Sequence, residues 1–542
     1  MVRRWLLRHL TFYRLHAAYF LVLACVGAGL LWFCRRRERV GGSDGSPKLL
    51  DCVFAAVSAL TVTGLLTVRV GDFSTLGMLV LLILMLLGSH VFTSLLPLYV
   101  RRFHFSRSPT HERQQVEKHC DTRQVQDKYL IAAYMSLEHK ALITLCWLVP
   151  AYFVGVQLLG FLAISCYIAV GPPEVREVLQ RESVNATFYG FFSTIAAFSN
   201  AGMTPLDENL ISFPDPALLL PMSMLILSGN TMFAPSMRFI IWCLYRCTRE
   251  KNPQKQVYEY LLMYPRKCFT HLFPQVHTVW LLITVVAFNA IDFVTFRSLD
   301  WNSAALKGMR TMDKLMAGLF QSINTRSAGM NVFILHELSA ATLLLYAAMM
   351  SLYYESDLCI YRVKSWETDQ VQDNKLSVQY RKLLSRDSAY LFLCILLICT
   401  LETRKISTDP LNYSVFNIVF EVISAYGNVG MSMGYSCALT KEENVTHSCE
   451  DVPYSLSGKW SANSKILLVA VMLVGRHRGL PDNIDSAIIL PHNFITNILD
   501  TTCIFNHKKL NSNSIHNPPA AKDSQSFHNT CIEELSERVY SN

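Results

Sequence analysis

The sequence predicts an all-α polytopic membrane protein, and three observations predict it. The chain of 542 residues is 51% hydrophobic, with a mean hydropathy of +0.26, too apolar for a soluble protein of this length. Its apolar residues gather in runs near the length that crosses a bilayer, about 20 residues. Between those runs a short pattern ending in Gly-Leu or Gly-Met occurs four times.

The apolar runs are 16–34, 76–98, 141–169, 217–244, 276–295, 338–353, 388–401 and 464–475. Arg3, Arg4, Arg8 and Arg14 precede the first, as in a secretory signal. That run is long and lacks a small-residue cleavage site, so it reads as a transmembrane helix. The formal charge is +8. Basic residues cluster where loops would flank helices on the cytoplasmic side: Arg101, Arg102, Arg107 and Arg113; Arg246, Arg249, Lys251 and Lys255; Lys375, Arg381, Lys382 and Arg386. This distribution accounts for the charge without a nucleic-acid partner. Arg35, Arg36, Arg37 and Arg39 are the exception, because they follow the first helix and would lie outside.

The sixteen cysteines are scattered, without a CxxC pair, and most read as buried thiols. Cys437 and Cys449 flank a polar loop and form a candidate external disulfide. No Walker-type glycine loop, HExxH or metal cluster occurs, so an ATP-driven pump and a metalloprotease have no support. No cofactor and no enzymatic activity are expected. The tail from about residue 506 is rich in Asn, Ser, His and Lys and predicts disorder.

The four repeated stretches are Val57–Leu65, Ile195–Met203, Ser322–Met330 and Ile423–Met431. A short amphipathic run leads into each: Asp51–Leu60, Thr187–Phe198, Asp313–Ile323 and Tyr413–Tyr426. The unit is helix, short half-helix, glycine loop, helix. Irregular backbone at membrane depth is tolerated only where it is buried in protein or lines an aqueous cavity. Four such loops around one axis can turn their carbonyls inward and replace the water shell of a monovalent cation. Successive carbonyls pointing one way demand backbone angles that a Cβ disfavours, hence glycine. Each half-helix would aim its negative C-terminal end at the axis. No Asp or Glu sits beside the glycines, which argues against an acidic Ca²⁺-type ring.

The four glycines are Gly64, Gly202, Gly329 and Gly430. Flanking them are Thr61, Val62 and Thr63; Ser199, Asn200 and Ala201; Arg326, Ser327 and Ala328; and Gly427, Asn428 and Val429. Arg326 is expected to point away from the ion path and brace its loop through hydrogen bonds or a carboxylate. Gly427 is expected to ease the turn, and Gly434 to begin the exit toward Cys437.

At these residues the chain resembles the superfamily of plant HKT and fungal and bacterial Trk/Ktr potassium and sodium transporters. "VSALTVTGL", "FSNAGMTPLDENLISF", "FQSINTRSAGM" and "FEVISAYGNVGMSMGYSC" resemble its four pore loops in order, and "VMLVGRHRGLPDNIDSAIILP" the end of its final helix. "NVGMSMGYSC" is similar to the plant branch, "TRSAGM" and "GRHRGLP" to the fungal one. The resemblance implies four helix–pore loop–helix repeats, eight transmembrane helices in all, in a pseudo-fourfold arrangement around one pore. It implies that the four glycines form a selectivity filter that holds K⁺ or Na⁺ through carbonyls only, with no resident metal. In the plant branch a serine at the first position goes with Na⁺ and a glycine with K⁺, often alongside Na⁺, so Gly64 implies K⁺ permeation. Arg476 matches a positive residue of the last helix that forms a constriction below the filter. A gate is implied around Met349–Tyr354, where this chain lacks the plant prolines.

The resulting division is 1–15, cytoplasmic N-terminus; 16–100, repeat 1; 101–139, cytoplasmic loop; 140–245, repeat 2; 246–275, cytoplasmic loop; 276–354, repeat 3; 355–386, cytoplasmic loop; 387–491, repeat 4; and 492–542, disordered cytoplasmic tail. Three sequons, at Asn185, Asn412 and Asn444, fall outside and are glycosylation candidates. The expected partners are membrane lipid and monovalent cations in a plasma membrane, and the resemblance implies a second copy of the chain, as a homodimer. A secondary transporter of an organic solute is the competing class, but it would need a midplane site on paired repeats. A Na⁺–K⁺ symporter is the alternative inside the family. A non-conducting scaffold fits poorly with four intact loops. A voltage sensor would need arginines at every third position of a helix.

Overall fold

The computed structural model describes residues 12–35, 47–107, 125–206, 209–211, 213–351, 388–437 and 454–478. Among these residues the chain is helical and contains no strand beyond an isolated bridge between Arg35 and Phe73.

The first quarter holds α1 (Phe12–Phe33), α2 (Leu49–Leu60), α3 (Thr75–Gly88) and α4 (His90–Arg107). The second holds α5 (Val125–Val170), α6 (Pro173–Arg181), α7 (Ala186–Ser199), α8 (Pro216–Gly229), α9 (Phe233–Cys247) and α10 (Gln254–Met263). Then come α11 (Gln275–Leu299), α12 (Thr311–Asn324) and α13 (Ala340–Ser351). The last are α14 (Ser388–Leu401), α15 (Val415–Gly427) and α16 (Ala462–His477). Polar caps start several of them: the Asn185 side chain accepts from the Thr187 and Phe188 amides, Asp215 from Ala217, Ser414 from Asn417 and Ser461 from Ser464. Both α4 and α5 reach into 101–139, read above as loop, and α10 lies within 246–275.

Among the described residues, three helices are long and apolar enough to cross a membrane: Arg14–Phe33 of α1, Ser136–Val170 of α5, and α11. The runs 76–98 and 217–244 are each broken instead of continuous. The chain bends by 57° between α3 and α4 and by 86° between α8 and α9. The break sites explain themselves. A Cβ on Gly88 would lie 1.8 Å from the Leu60 carbonyl oxygen, and one on Gly229 1.7 Å from that of Phe198. Glycine lets α3 and α8 touch the ends of α2 and α7 backbone to backbone, as small residues do between membrane helices. Gly475 of α16 meets the Tyr426 carbonyl at the end of α15 in the same way, at 2.2 Å.

The four short helices α2, α7, α12 and α15 form the centre. Phe54, Phe192, Phe198, Phe320 and Phe420 on them are fully buried. Other helices pack around them: α3 on α2 and α7, α8 on α7 and α12, α13 on α15, α16 on α15 and back on α2. Apolar side chains of the outer helices face outward, among them Val22, Trp147, Leu159, Val286 and Val294. An apolar exterior over a polar-capped centre is the arrangement that a lipid solvent favours.

Candidate functional site

The loops that follow α2, α7, α12 and α15 meet at one place. Gly64, Gly202, Gly329 and Gly430 have φ of +92°, +64°, +63° and +94°, which side-chain-bearing residues rarely adopt. Each lies against the carbonyl of the residue that precedes the next glycine. A Cβ on Gly64 would be 2.0 Å from the Ala201 oxygen, and on Gly202 1.9 Å from that of Ala328. On Gly329 it would be 2.1 Å from the Val429 oxygen, and on Gly430 2.1 Å from that of Thr63. An ordinary C···O contact is about 3.3 Å. The order 64, 202, 329, 430 and back to 64 therefore closes a ring of backbone. All four glycines open on one cavity of about 700 Å³, lined also by Arg69, Arg181, His336, Ser432 and Tyr435.

Three of the loops share one construction. Val62, Asn200 and Asn428 take the left-handed conformation, and the next residue donates its amide to a carbonyl five back: Thr63 to Ser58, Ala201 to Ala196, Val429 to Ser424. This is a Schellman-type helix end, which turns the chain sharply and satisfies the last carbonyls. Asparagine suits that conformation, but Val62 is β-branched and strained there. Its turn is tied down by Thr61, whose Oγ1 donates to Val57 and lies 2.7 Å from Thr63 Oγ1. Asn428 Nδ2 donates to Thr63 Oγ1 at 2.8 Å and to the Met472 carbonyl at 3.0 Å, which joins the fourth loop to the first and to α16. In the second loop Ser199 Oγ donates to Ile195 and Asn200 Nδ2 to Phe198. Gly430 donates its amide to Ser424 Oγ at 3.1 Å.

The third loop is built differently. α12 stops at Asn324, and the amides of Ser327, Ala328 and Gly329 all return to its carbonyl, without a left-handed residue between. The Asn324 side chain then grips Met330 twice, accepting from its amide at 2.9 Å and donating to its carbonyl. Arg326 is buried, with its guanidinium carbon 5.3 Å from the Phe288 ring centre on α11. Each of the four short helices ends just before its glycine, so its partial negative charge lies at the ring.

Arg476 lies near the end of α16. Its guanidinium donates to the Gly88 carbonyl, lies 2.7 Å from His90 Nε2 and sits 5.4 Å from the Phe20 ring centre. The break between α3 and α4 leaves a helix C-terminus, and a cation there is stabilised by the exposed carbonyls. Arg478 donates to the Gly427 carbonyl at 3.3 Å.

Several expectations change. Gly427 does not ease the turn through an unusual φ; it is the last residue of α15, and the left-handed residue is Asn428. What Gly427 provides is space, since a Cβ would lie 2.9 Å from the Met350 carbonyl oxygen. Gly434 does take a positive φ, +68°. Asn412 is a poor glycosylation candidate, because it is only 2% exposed. Its Nδ2 donates to both Asp409 and the Ser436 carbonyl, so no hydrogen is left to replace. Asn185 is exposed and caps α7 through Oδ1. Asn444 and Cys449 lie outside the described residues. Cys437 is disulfide-bonded; the other ten described cysteines are free. Of the basic cluster after α1, Arg35 stacks on Trp32, 3.3 Å from the ring centre, and donates to the Pro47 carbonyl. Arg36, Arg37 and Arg39 lie outside the described residues.

Several residues of this region escape a reading of the loops alone: Gly88, Gly229 and Gly475, the carboxylate of Asp292, and Glu421. Glu421 is fully buried on α15, and its Oε1 accepts from the Ser457 amide. The signal for the glycines is present in "LGSH", "SGN" and "VGRH", each a glycine beside polar residues at an edge or break of an apolar run.

Residues 17–498 match the family TrkH, described as cation transport protein. The chain is 35% identical over 481 residues to the cation transporter HKT1;3 of Oryza sativa subsp. japonica, covering 85% of this chain and 88% of that one. It is 33% identical over 401 residues to the low-affinity potassium transport protein of Saccharomyces cerevisiae, covering 66% of this chain and 43% of that longer one. Among solved structures, the potassium transporter TrkH from Vibrio parahaemolyticus aligns over 86% of this chain and 82% of its own, at 11% identity and a TM-score of 0.46. The family match over residues 17–498, the extensive identity to cation transporters and the outward-facing apolar helices lead to one conclusion: the chain is an integral membrane protein and belongs to the TrkH family of cation transport proteins, within the HKT/Trk superfamily.

Proposed function

We propose that this protein moves K⁺, with Na⁺ also permeant, passively across the plasma membrane through a filter formed by Gly64, Gly202, Gly329 and Gly430. In this reading four helix–pore loop–helix repeats surround one pore with pseudo-fourfold symmetry, and each protomer of a homodimer carries its own pore. The observation that carries it is the closed ring. Four glycines with positive φ each press on the carbonyl before the next glycine, and all four face one cavity. Carbonyl rings of this kind replace a cation's hydration shell without a fixed carboxylate. Gly64 at the first position favours K⁺, because a side chain there would displace the Ala201 carbonyl. Arg476, at the break between α3 and α4, is the constriction on the cytoplasmic side. Ions pass through carbonyls alone, and no cofactor takes part.

The test is expression in a voltage-clamped cell with external K⁺ and Na⁺ exchanged. The expected result is a current whose reversal potential follows external K⁺, and to a lesser degree Na⁺. Solute uptake without ionic current would overturn the proposal. A fixed coupling of K⁺ flux to Na⁺ flux would replace passive flow with symport by the same filter.

A further inference from the structure

The break between α3 and α4 brings groups of different chemistry onto one guanidinium. Gly88 ends α3, Ser89 leaves the helical conformation, and His90 opens α4. The last carbonyls of α3 have no partner further along that helix, and a cation is favoured beside them. Arg476 of α16 meets that demand by donating to the Gly88 carbonyl. Its Nη1 also lies 2.7 Å from His90 Nε2. A guanidinium has donors only, so the ring nitrogen that faces it must carry a lone pair. The imidazole is therefore neutral and accepts through Nε2, with its proton on Nδ1. The Phe20 ring of α1 stands 5.4 Å from the guanidinium carbon. Arg476 is only 8% exposed, so a carbonyl, an imidazole and a ring face stand where water would otherwise solvate it. All three come from α1, α3 and α4, whereas Arg476 is carried by α16. The surroundings tie this contact to the ring. Gly88 meets the Leu60 carbonyl at the end of α2, and Gly475, beside Arg476, meets the Tyr426 carbonyl at the end of α15. One turn before Arg476, the Met472 carbonyl accepts from Asn428, which also bonds Thr63.

Resting on the filter and constriction readings above, we infer that His90 is a positioning residue for Arg476: by accepting its hydrogen bond it holds the guanidinium against the α3–α4 break and limits how far that charge reaches into the ion path. In the held position Arg476 narrows the path. Without the Nε2 acceptor it loses one of the two groups to which it donates at the break. A charge that loses a buried partner turns toward water, and in this reading the water is in the ion path. There the guanidinium repels the cation it meets. A hydrogen bond to a charged group is strong enough for its loss to change the share of held arginine on the order of tenfold.

The dependence on Arg476 makes the test specific. Wild type, H90L, H90F, H90Q, R476Q and the double variant H90L/R476Q are compared in voltage-clamped cells, with K⁺ current divided by surface-labelled protein. H90L and H90F, which cannot accept, should lower the current on the order of tenfold. H90Q, whose side-chain oxygen can accept in place of Nε2, should retain it. In the R476Q background the leucine should cost nothing further, because no guanidinium is left to release. A loss of the same size with and without Arg476 would mean that His90 serves packing alone, and it overturns the inference. H90L and H90F that conduct like wild type overturn it as well, and so does an H90Q that loses as much current as H90L. If H90L does not reach the surface, H90F decides in its place, with H90F/R476Q as its double variant. If neither reaches the surface, with or without R476Q, His90 serves the fold and the inference is overturned. A wild type without K⁺ current would remove the filter reading and this inference together. A conducting wild type with no gain of current in R476Q removes the constriction and this inference but leaves the filter. A gain in R476Q without coupling to His90 removes this inference alone.

Discussion

Gly64→Ser is the perturbation from which most follows. At Gly64 an added Cβ would lie 2.0 Å from the Ala201 oxygen and 3.0 Å from its carbonyl carbon. An ordinary C···O contact is about 3.3 Å, so the carbonyl must retreat by roughly 1.3 Å or Gly64 must leave its φ of +92°. Keeping a side-chain-bearing residue at such a φ costs about 1–2 kcal/mol. Either response spoils one of the four carbonyl contacts for the larger, more weakly hydrated K⁺, and leaves a narrower, less regular cage that suits Na⁺ better. A differential loss of about 1.4 kcal/mol is tenfold in relative permeability. On complete exchange of external K⁺ for Na⁺, the reversal potential of the variant should move toward Na⁺ by about 59 mV for each tenfold. The assay is reversal potential in voltage-clamped cells, with surface protein measured in parallel. A K⁺/Na⁺ ratio within about twofold of wild type, at normal surface level, would refute the argument that this carbonyl ring selects the ion. The same geometry ranks the other positions. A Cβ on Gly329 would also strike the Gly430 carbonyl carbon at 2.6 Å and the Met431 nitrogen at 2.8 Å. Gly329→Ala should therefore abolish current where Gly64→Ala only alters selectivity.

Other expectations follow from the surrounding packing. Gly88→Ala and Gly229→Ala would each place a methyl under 2 Å from a backbone oxygen; overpacking of this kind costs about 1–3 kcal/mol, so the thermal transition of the detergent-purified protein should fall, and an unchanged one would contradict the contact. Val62→Asn puts at the first loop the residue type found at Asn200 and Asn428 and should raise that transition by relieving about 1 kcal/mol of left-handed strain. Arg476→Gln removes the charge that caps the end of α3; K⁺ current per surface molecule should rise, and a current no larger than wild type would argue against a constriction there. Asn185→Gln should reduce a glycosidase-sensitive gel shift, whereas Asn412→Gln should leave that shift intact and lower stability through the lost bonds to Asp409 and Ser436.

Some of this arrangement is legible in the sequence because the signals are local. The amphipathic runs Asp51–Leu60, Thr187–Phe198, Asp313–Ile323 and Tyr413–Tyr426 largely coincide with α2, α7, α12 and α15, since cap residues and periodicity are written within a dozen positions. The breaks at Gly88 and Gly229 are harder to see. Hydropathy continues across both, and what forces the bend is the approach of a carbonyl, from Leu60 or Phe198, that is distant in the chain. Helix α5 begins at Val125 in a stretch too polar to read as part of a membrane span. The Asn412 sequon is correct as a motif, but whether its amide is free depends on Ser436, which folds back onto it.

The ring is fourfold in its glycines, but its support is not. In the first, second and fourth loops a left-handed residue ends the short helix, and a glycine on the following long helix (Gly88, Gly229 or Gly475) lets that helix touch the loop's own helix end. The third loop has neither device. It relies on Asn324 gripping Met330 and on Arg326 set against Phe288 of α11, and the helix that follows it, α13, instead brings the Met350 carbonyl against Gly427 of the next repeat. Equivalent substitutions should therefore not have equivalent effects. A disturbance at Thr63 or Asn428 passes to α16 through Met472, beside the Arg476 contacts. A disturbance at Ala328 passes to Asn324, which holds its amide, and to Gly202, which meets its carbonyl. The third loop is thus the one that lacks both the left-handed residue and the glycine contact of a following helix that the other three share. A functional difference between repeats is to be sought there first.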